Sequence, residues 1–272
     1  VTGSQRLRPV LAAKVAASLV LVRHGESTYI AEGRFQGRHD PPLSVLGERQ
    51  AALVAARLAD RASGAPLPLP AVPPTGIWHS PLRRAATTAQ AIAAAQPVAV
   101  ELLPTEQLTE VAQGQWEGQL STDVKANWPT ELAAWRRQPA LNHAPGGEAL
   151  VSAARRVAAG VHDILAALTD GQRLSAAPDP VPGYRSARLA AEEPWAIVVA
   201  HDGVFRLAVL ALLDLPLNRF WSVPFNLCAI TVVGVRDGVA TLRAHNLSEH
   251  LAPLSVEASQ APLARPDRGG AL

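Results

Sequence analysis

Three short apolar runs in this chain each stop at a histidine. Ser18-Leu19-Val20-Leu21-Val22 runs into Arg23-His24-Gly25, Gly76-Ile77-Trp78 into His79-Ser80, and Ala196-Ile197-Val198-Val199-Ala200 into His201-Asp202-Gly203. Brief apolar runs bounded by polar residues read as buried strands that deliver their last residues into loops. Helical patterns fill the intervals. Ser44 is placed to cap a helix with Gly47 and Glu48 in its first turn and Ala51, Val54, Ala55 and Leu58 on one face. An alanine-rich helix follows over about 82–95. Gly146-Gly147-Glu148 introduces a third to about Leu168, with Leu150, Val157, Val161, Ile164, Leu165 and Leu168 at helical spacing. Val98-Ala99-Val100 is expected as an edge strand. Two closing strands, 227–235 and 239–244, flank the turn Arg236-Asp237-Gly238. Strands alternating with helices predict one α/β domain with a mainly parallel sheet.

Composition excludes several classes. With 48% hydrophobic residues and a net charge of +2 the chain is not intrinsically disordered, and a lone cysteine, Cys228, rules out a disulfide framework. Arginine outnumbers lysine heavily, since Lys14 and Lys125 are the only lysines among 25 basic residues. The arginines are interleaved with carboxylates and form no basic run, so this is a codon-usage bias and nucleic acid is not an expected partner. No membrane is expected either: the stretch 204–217 is too short to span one and holds Arg206 and Asp214. The segment from Arg6 to Val22 has some marks of a secretory signal, but Lys14 interrupts its apolar core and Ala16-Ala17-Ser18 would place a cut just before the first motif. The expected location is the cytoplasm. Val1 is read as a start codon or a processed end.

In open α/β sheets, ligands bind beyond the carboxyl ends of the strands. If the three strands are neighbours, His24, His201, Arg23 and Arg84 meet there. An imidazole is a competent nucleophile and guanidinium groups suit the oxygens of a transferring phosphoryl group, so the expected chemistry is phosphoryl transfer.

Arg23-His24-Gly25-Glu26-Ser27 resembles the opening signature of the histidine phosphatase superfamily, the phosphoglycerate-mutase-like proteins. The likeness continues in order through Arg34-Phe35-Gln36-Gly37, Asp40 with Leu43-Ser44 and Gly47, Ser80-Pro81-Leu82-Arg83-Arg84-Ala85 with Thr88-Ala89, and Leu108-Thr109-Glu110. It resumes in Gly114-Gln115-Trp116-Glu117-Gly118, Gly146-Gly147-Glu148 and His201, and closes with Asn246 to His250-Leu251. The resemblance implies a three-layer sandwich, with a single domain over 18–251 after an extension at 1–17; it leaves uncovered a proline-rich inserted loop at 169–194, a candidate lid because long loops are often functional, and an aperiodic stretch at 252–272, read as a mobile tail.

It further implies that His24 is the nucleophile, that Arg23, Arg84 and His201 hold the phosphate, and that Glu110 donates a proton to the leaving group. Ser27, Arg34, Gln36 and Gly37 would line the substrate pocket, although Ser27 is equally suited to cap a helix and Arg34 to pair with a surface acid. Arg83 is expected to point elsewhere. Neither a metal nor another cofactor is implied. Two departures stand out. Ile30 takes a position where the family usually has a phosphate-binding asparagine, and Asp202 follows His201 where glycine is usual. Glu110-Val111-Ala112-Gln113-Gly114 is similar to the phosphatase branch and unlike the mutases. The expected function is therefore a metal-independent phosphomonoesterase acting on a small phosphorylated metabolite, as a monomer or a homodimer. A phosphoglycerate-type phosphomutase and, because of Ile30, a non-catalytic phospholigand-binding protein are the alternatives. Trp116, Trp195, Trp221 and Phe225 are candidates for an apolar pocket mouth or for core.

Overall fold

The computed structural model describes residues 16–60, 65–170 and 193–254. Most of the expected extension, the insert between 171 and 192 with its proposed lid role, and the tail from 255 onward lie outside the described residues.

The first strand, β1 (Ala16–Arg23), begins two residues earlier than its apolar run because Ala16 and Ala17 pair with Arg236 and Val235. A short helix α1 (Thr28–Ala31) and then α2 (Val45–Ala59) follow. Ser44 caps α2 as expected: its Oγ accepts from the Gly47 N–H at 3.0 Å, satisfying a donor the first turn would leave unpaired. Next come β2 (Gly76–His79), α3 (Arg83–Ala95) and β3 (Leu102–Pro104). The edge strand was expected at Val98-Ala99-Val100. It forms instead at Leu102, where Ile77, Trp78 and His79 of β2 find partners in Leu102, Leu103 and Pro104. Pairing, not local propensity, sets the position of an edge strand.

Two short helices, α4 (Ser121–Asn127) and α5 (Pro129–Arg137), precede the long α6 (Leu150–Thr169). The chain then forms β4 (Trp195–Ala200), α7 (Asp202–Leu212), β5 (Ile230–Arg236) and β6 (Val239–Leu247). Asp237 and Gly238 both have positive φ, the backbone twist a two-residue hairpin needs. Cys228, expected inside a strand, lies in the turn before β5 and is fully buried.

The sheet order is β3-β2-β4-β1-β5-β6. β1, β2, β3 and β4 are mutually parallel, while β5 and β6 run antiparallel, so the sheet is mainly parallel as expected. Alternation along the central strands divides the core. Leu19 and Leu21 of β1 with Ala196, Val198 and Ala200 of β4 pack with α6 and α7 on one face. Val20, Val22, Trp195, Ile197 and Val199 pack with α2 and α3 on the other. Helices on both faces make three layers and leave the strand ends as the open edge. Among the described residues, no helix is long and apolar enough to cross a membrane.

Candidate active site

Because β1, β2 and β4 are parallel neighbours in register, their carboxyl ends arrive together: Arg23 lies opposite Ala200, and His79 opposite Val199. His24, 1% exposed, follows β1 directly and donates its backbone N–H to the Ala200 carbonyl at 3.0 Å. The chain then turns at Gly25, where a Cβ would sit 2.4 Å from the Gly47 carbonyl oxygen; only glycine lets α2 approach so closely. Thr88 secures this turn from α3, accepting the Gly25 N–H at 3.2 Å while its hydroxyl donates to the Arg84 carbonyl at 2.8 Å.

The imidazole of His24 is oriented through both nitrogens. Nδ1 lies 2.6 Å from the Gly25 carbonyl, which can only accept, so the proton resides on Nδ1 and the lone pair on Nε2. That lone pair receives the Nε–H of Arg84 at 3.2 Å. Burial, reinforced by the charges of Arg84 and Arg23, pushes the His24 pKa well below 6.5. Geometry and electrostatics agree on a neutral ring with an unprotonated Nε2 facing a guanidinium.

Arg84 is fully buried. Its Nη1 donates to the His39 carbonyl at 2.7 Å and its Nη2 to the Gly37 carbonyl at 2.8 Å. Burial lowers its pKa to about 10, against the pull of Glu110 and Asp40, so it stays cationic at neutral pH. Of its five N–H donors these contacts use three. Arg23 donates Nη1 to the Phe225 carbonyl at 2.7 Å and lies 3.8 Å from Asp202 Oδ1; its buried Nε has no hydrogen-bond acceptor among the described residues. His201 is fully buried, with Nε2 2.7 Å from Ser80 Oγ and its ring edge-on to His24 at 5.0 Å. Its Nδ1 also lacks a partner among the described residues, and burial followed by the Arg84 charge holds its pKa well below 6.5.

Glu110, 2% exposed, closes the group. Oε1 accepts the Val111 N–H at 2.8 Å, and Oε2 accepts the Gly203 N–H in the first turn of α7 at 3.3 Å. A Cβ at Gly203 would lie 2.6 Å from Oε1, so a side chain there would push the Glu110 carboxyl out of this position. Burial raises the Glu110 pKa and the nearby Asp202 raises it further, opposing the Val111 hydrogen bond and both arginines. The edge thus combines an unprotonated imidazole nitrogen, cationic donors with spare N–H groups, and a carboxyl group whose pKa burial raises.

The other expected site residues divide. Ser27 caps α1: its Oγ accepts the Ile30 N–H at 3.2 Å and donates to Gln36 Oε1 at 2.5 Å, with Ser27 and Gln36 both buried. Gly37 contributes the carbonyl that braces Arg84. Arg34 takes the surface alternative, donating to Glu32 at 2.6 Å and to the Gly118 carbonyl at 2.8 Å. Arg83 is exposed, as expected. Asp202 turns inward, buried between Arg23 and Arg206, whose Nε donates to it at 2.9 Å. Of the aromatic candidates for a pocket mouth, Trp116, Trp195 and Phe225 are core, and only Trp221 is substantially exposed. Sequence reading missed the bracing carbonyls of Gly37, His39 and Phe225, which no side-chain pattern reveals. It also missed the bracing role of Thr88, whose spacing of one helical turn after Arg84 was a usable signal.

Residues 19–176 and 185–248 match the family described as the histidine phosphatase superfamily, branch 1. The chain is 28% identical over 243 residues to phosphoserine phosphatase 1 of Hydrogenobacter thermophilus, covering 89% of this chain and 98% of that one. It is 34% identical over 208 residues to glucosyl-3-phosphoglycerate phosphatase of Mycolicibacterium vanbaalenii, covering 75% and 77%. Among solved structures, a mycobacterial glucosyl-3-phosphoglycerate phosphatase complexed with VO3 superposes with a TM-score of 0.63 at 27% identity, covering 85% of this chain and 99% of that one.

Proposed function

The chain belongs to the histidine phosphatase superfamily and is a phosphoric monoester hydrolase; from that premise we propose that it hydrolyses a small phosphorylated metabolite, without a metal, through a phosphohistidine on His24. The observation that carries this reading is the orientation of the buried His24 ring, with Nδ1–H on the Gly25 carbonyl and the Nε2 lone pair facing Arg84.

In the first half-reaction the Nε2 lone pair attacks phosphorus and the bond to the leaving oxygen breaks. The spare N–H groups of Arg23 and Arg84, together with His201, bind the equatorial oxygens, a contribution of roughly 3–4 kcal/mol per well-placed donor in comparable sites. The Gly25 carbonyl keeps the Nδ1 proton in place and faces the positive charge that the ring acquires. Glu110 gives its proton to the departing alkoxide, which leaves as the alcohol; its raised pKa supports this role. In the second half-reaction the Glu110 carboxylate takes a proton from water, the water oxygen attacks phosphorus, the P–N bond breaks and its electron pair returns to Nε2. Phosphate departs and Glu110 is protonated again. Where the family usually has asparagine, Ile30 offers no donor, and Gln36, held by Ser27, is the buried amide beside it that takes over.

The test is turnover of p-nitrophenyl phosphate and of a panel containing phosphoserine, glucosyl-3-phosphoglycerate and other phosphorylated metabolites, with chelator present. Sustained hydrolysis in chelator that disappears in His24→Ala is the expected result. Full activity in His24→Ala would remove the nucleophile assignment, and exchange between 2- and 3-phosphoglycerate without phosphate release would point to a mutase.

A further inference from the structure

Gly146-Gly147-Glu148 stands out in the sequence, yet none of its side-chain atoms takes part in the chemistry above. Its contacts lead to Glu110. The Glu148 N–H donates to the Ala112 carbonyl at 2.9 Å. Its carboxylate binds two arginines: Oε1 accepts Arg156 Nε at 3.1 Å, and Oε2 accepts Arg156 Nη2 at 2.7 Å and Arg38 Nη2 at 3.1 Å. Arg156, in the second turn of α6, donates Nη1 to the carbonyls of Gln107 at 2.8 Å and Thr109 at 2.6 Å. Arg38, in the loop that also supplies the Gly37 carbonyl, donates Nε to the Glu110 carbonyl at 3.3 Å. The carbonyls of residues 107, 109, 110 and 112 are therefore each held by Glu148 or by an arginine that Glu148 binds.

We infer that Glu148, acting through Arg156 and Arg38, is a positioning residue that fixes the backbone on both sides of Glu110 and so aims its carboxyl group at the departing oxygen. The inference rests on the assignment of Glu110 as proton donor. The segment from 109 to 113 contains no helix or strand of its own; the Val111 and Gly203 N–H groups hold the Glu110 carboxyl at its tip, and the contacts from Arg156, Arg38 and Glu148 hold the backbone from which it extends. A bidentate arginine on a carboxylate fixes direction as well as distance. The Arg38–Glu148 pair, with Arg38 exposed, adds little to stability, so its effect is expected in geometry. Misplacing a reacting group by about 1 Å costs on the order of 100-fold in rate.

A proton donor matters most when the leaving group is a poor one. The experiment compares kcat/KM for p-nitrophenyl phosphate, whose phenolate departs unaided, with that for the best alkyl phosphomonoester of the panel, in wild type, Glu110→Gln, Glu148→Gln, Arg156→Lys and Arg38→Ala. For Glu148→Gln and Arg156→Lys the alkyl substrate is expected to lose about 10- to 100-fold and the nitrophenyl substrate about threefold or less, in the same sense as Glu110→Gln. Arg38→Ala, at an exposed side chain, is expected to fold regardless and to show a smaller split of the same sign. A split in Glu110→Gln with equal losses, or none, in the other three variants overturns the positioning role alone. No split in Glu110→Gln removes the proton-donor assignment, and the positioning role with it.

Discussion

The two ends of β1 carry two buried clusters of charge that are put together in opposite ways. At the amino end, near Ser18, Glu193 is 3% exposed and fully matched: Oε1 accepts from Ser18 Oγ at 3.1 Å and lies 3.6 Å from Arg243, and Oε2 accepts from Arg236 at 3.1 Å. Arg243 also donates to Ser18 Oγ at 2.8 Å. At the carboxyl end, about 17 Å along the strand, Arg23 Nε and His201 Nδ1 are buried without partners among the described residues, and two imidazoles and a carboxyl group are driven toward their neutral forms. Charge that is buried and satisfied ties strands together. Charge that is buried with donors to spare is arranged for an anion that arrives later.

The comparison can be broken most severely at Arg84. Arg84→Ala is expected to lower kcat/KM by about 1,000-fold, and Arg84→Lys, which keeps the charge but loses the planar fork, by about 100-fold. Steady-state kinetics with circular dichroism as the folding control would check both. At the other end, Glu193→Ala leaves Arg243 facing Ser18 without its carboxylate and is expected to cost about 3 kcal/mol of stability, read from denaturant melts. Its kcat/KM per folded molecule should stay within about twofold. A loss of turnover without a loss of stability would erase the division between the two ends.

Proton linkage sharpens the same contrast. His24 and His201 are held neutral in the folded chain, so the unfolded chain binds more protons below pH 6.5, and stability should fall as pH drops through that value. Activity follows a different course. With the His24 pKa displaced downward, kcat/KM should persist below pH 6.5, where an ordinary imidazole would already be protonated. With the Glu110 pKa raised, kcat/KM should decline as pH rises and Glu110 loses its proton, a limb that Glu110→Gln flattens. The smallest expected effect is at Ile30. Ile30→Asn adds a donor worth about 1 kcal/mol, so kcat/KM should rise by roughly fivefold.

The strands carrying His24, His79 and His201 were legible because an apolar run that stops at charged residues has few other readings. The helix capped at Ser44 was legible from a local hydrogen bond that any such sequence makes. β3 was not, because Val98 and Leu102 have similar local preferences and only the register with β2 chooses between them. Within the site, the residues that carry charge could be picked out, whereas what holds them could not. Arg84 is braced by the carbonyls of Gly37 and His39, and backbone atoms leave no mark on composition. Arg34 and Asp202 show the same limit from the other side. Each was open between two orientations in the sequence, and each is held by a partner near along the chain together with a distant one: Glu32 and Gly118 for Arg34, Arg206 and Arg23 for Asp202.

The most direct test of the account is to trap the covalent intermediate. Rapid acid-free quenching of the enzyme during turnover, followed by mass spectrometry, should find one phosphoryl group on Nε2 of His24, stable in alkali, lost in acid and absent from His24→Ala. Turnover with no phosphoprotein at any time point, or a phosphoryl group on another residue, would contradict it.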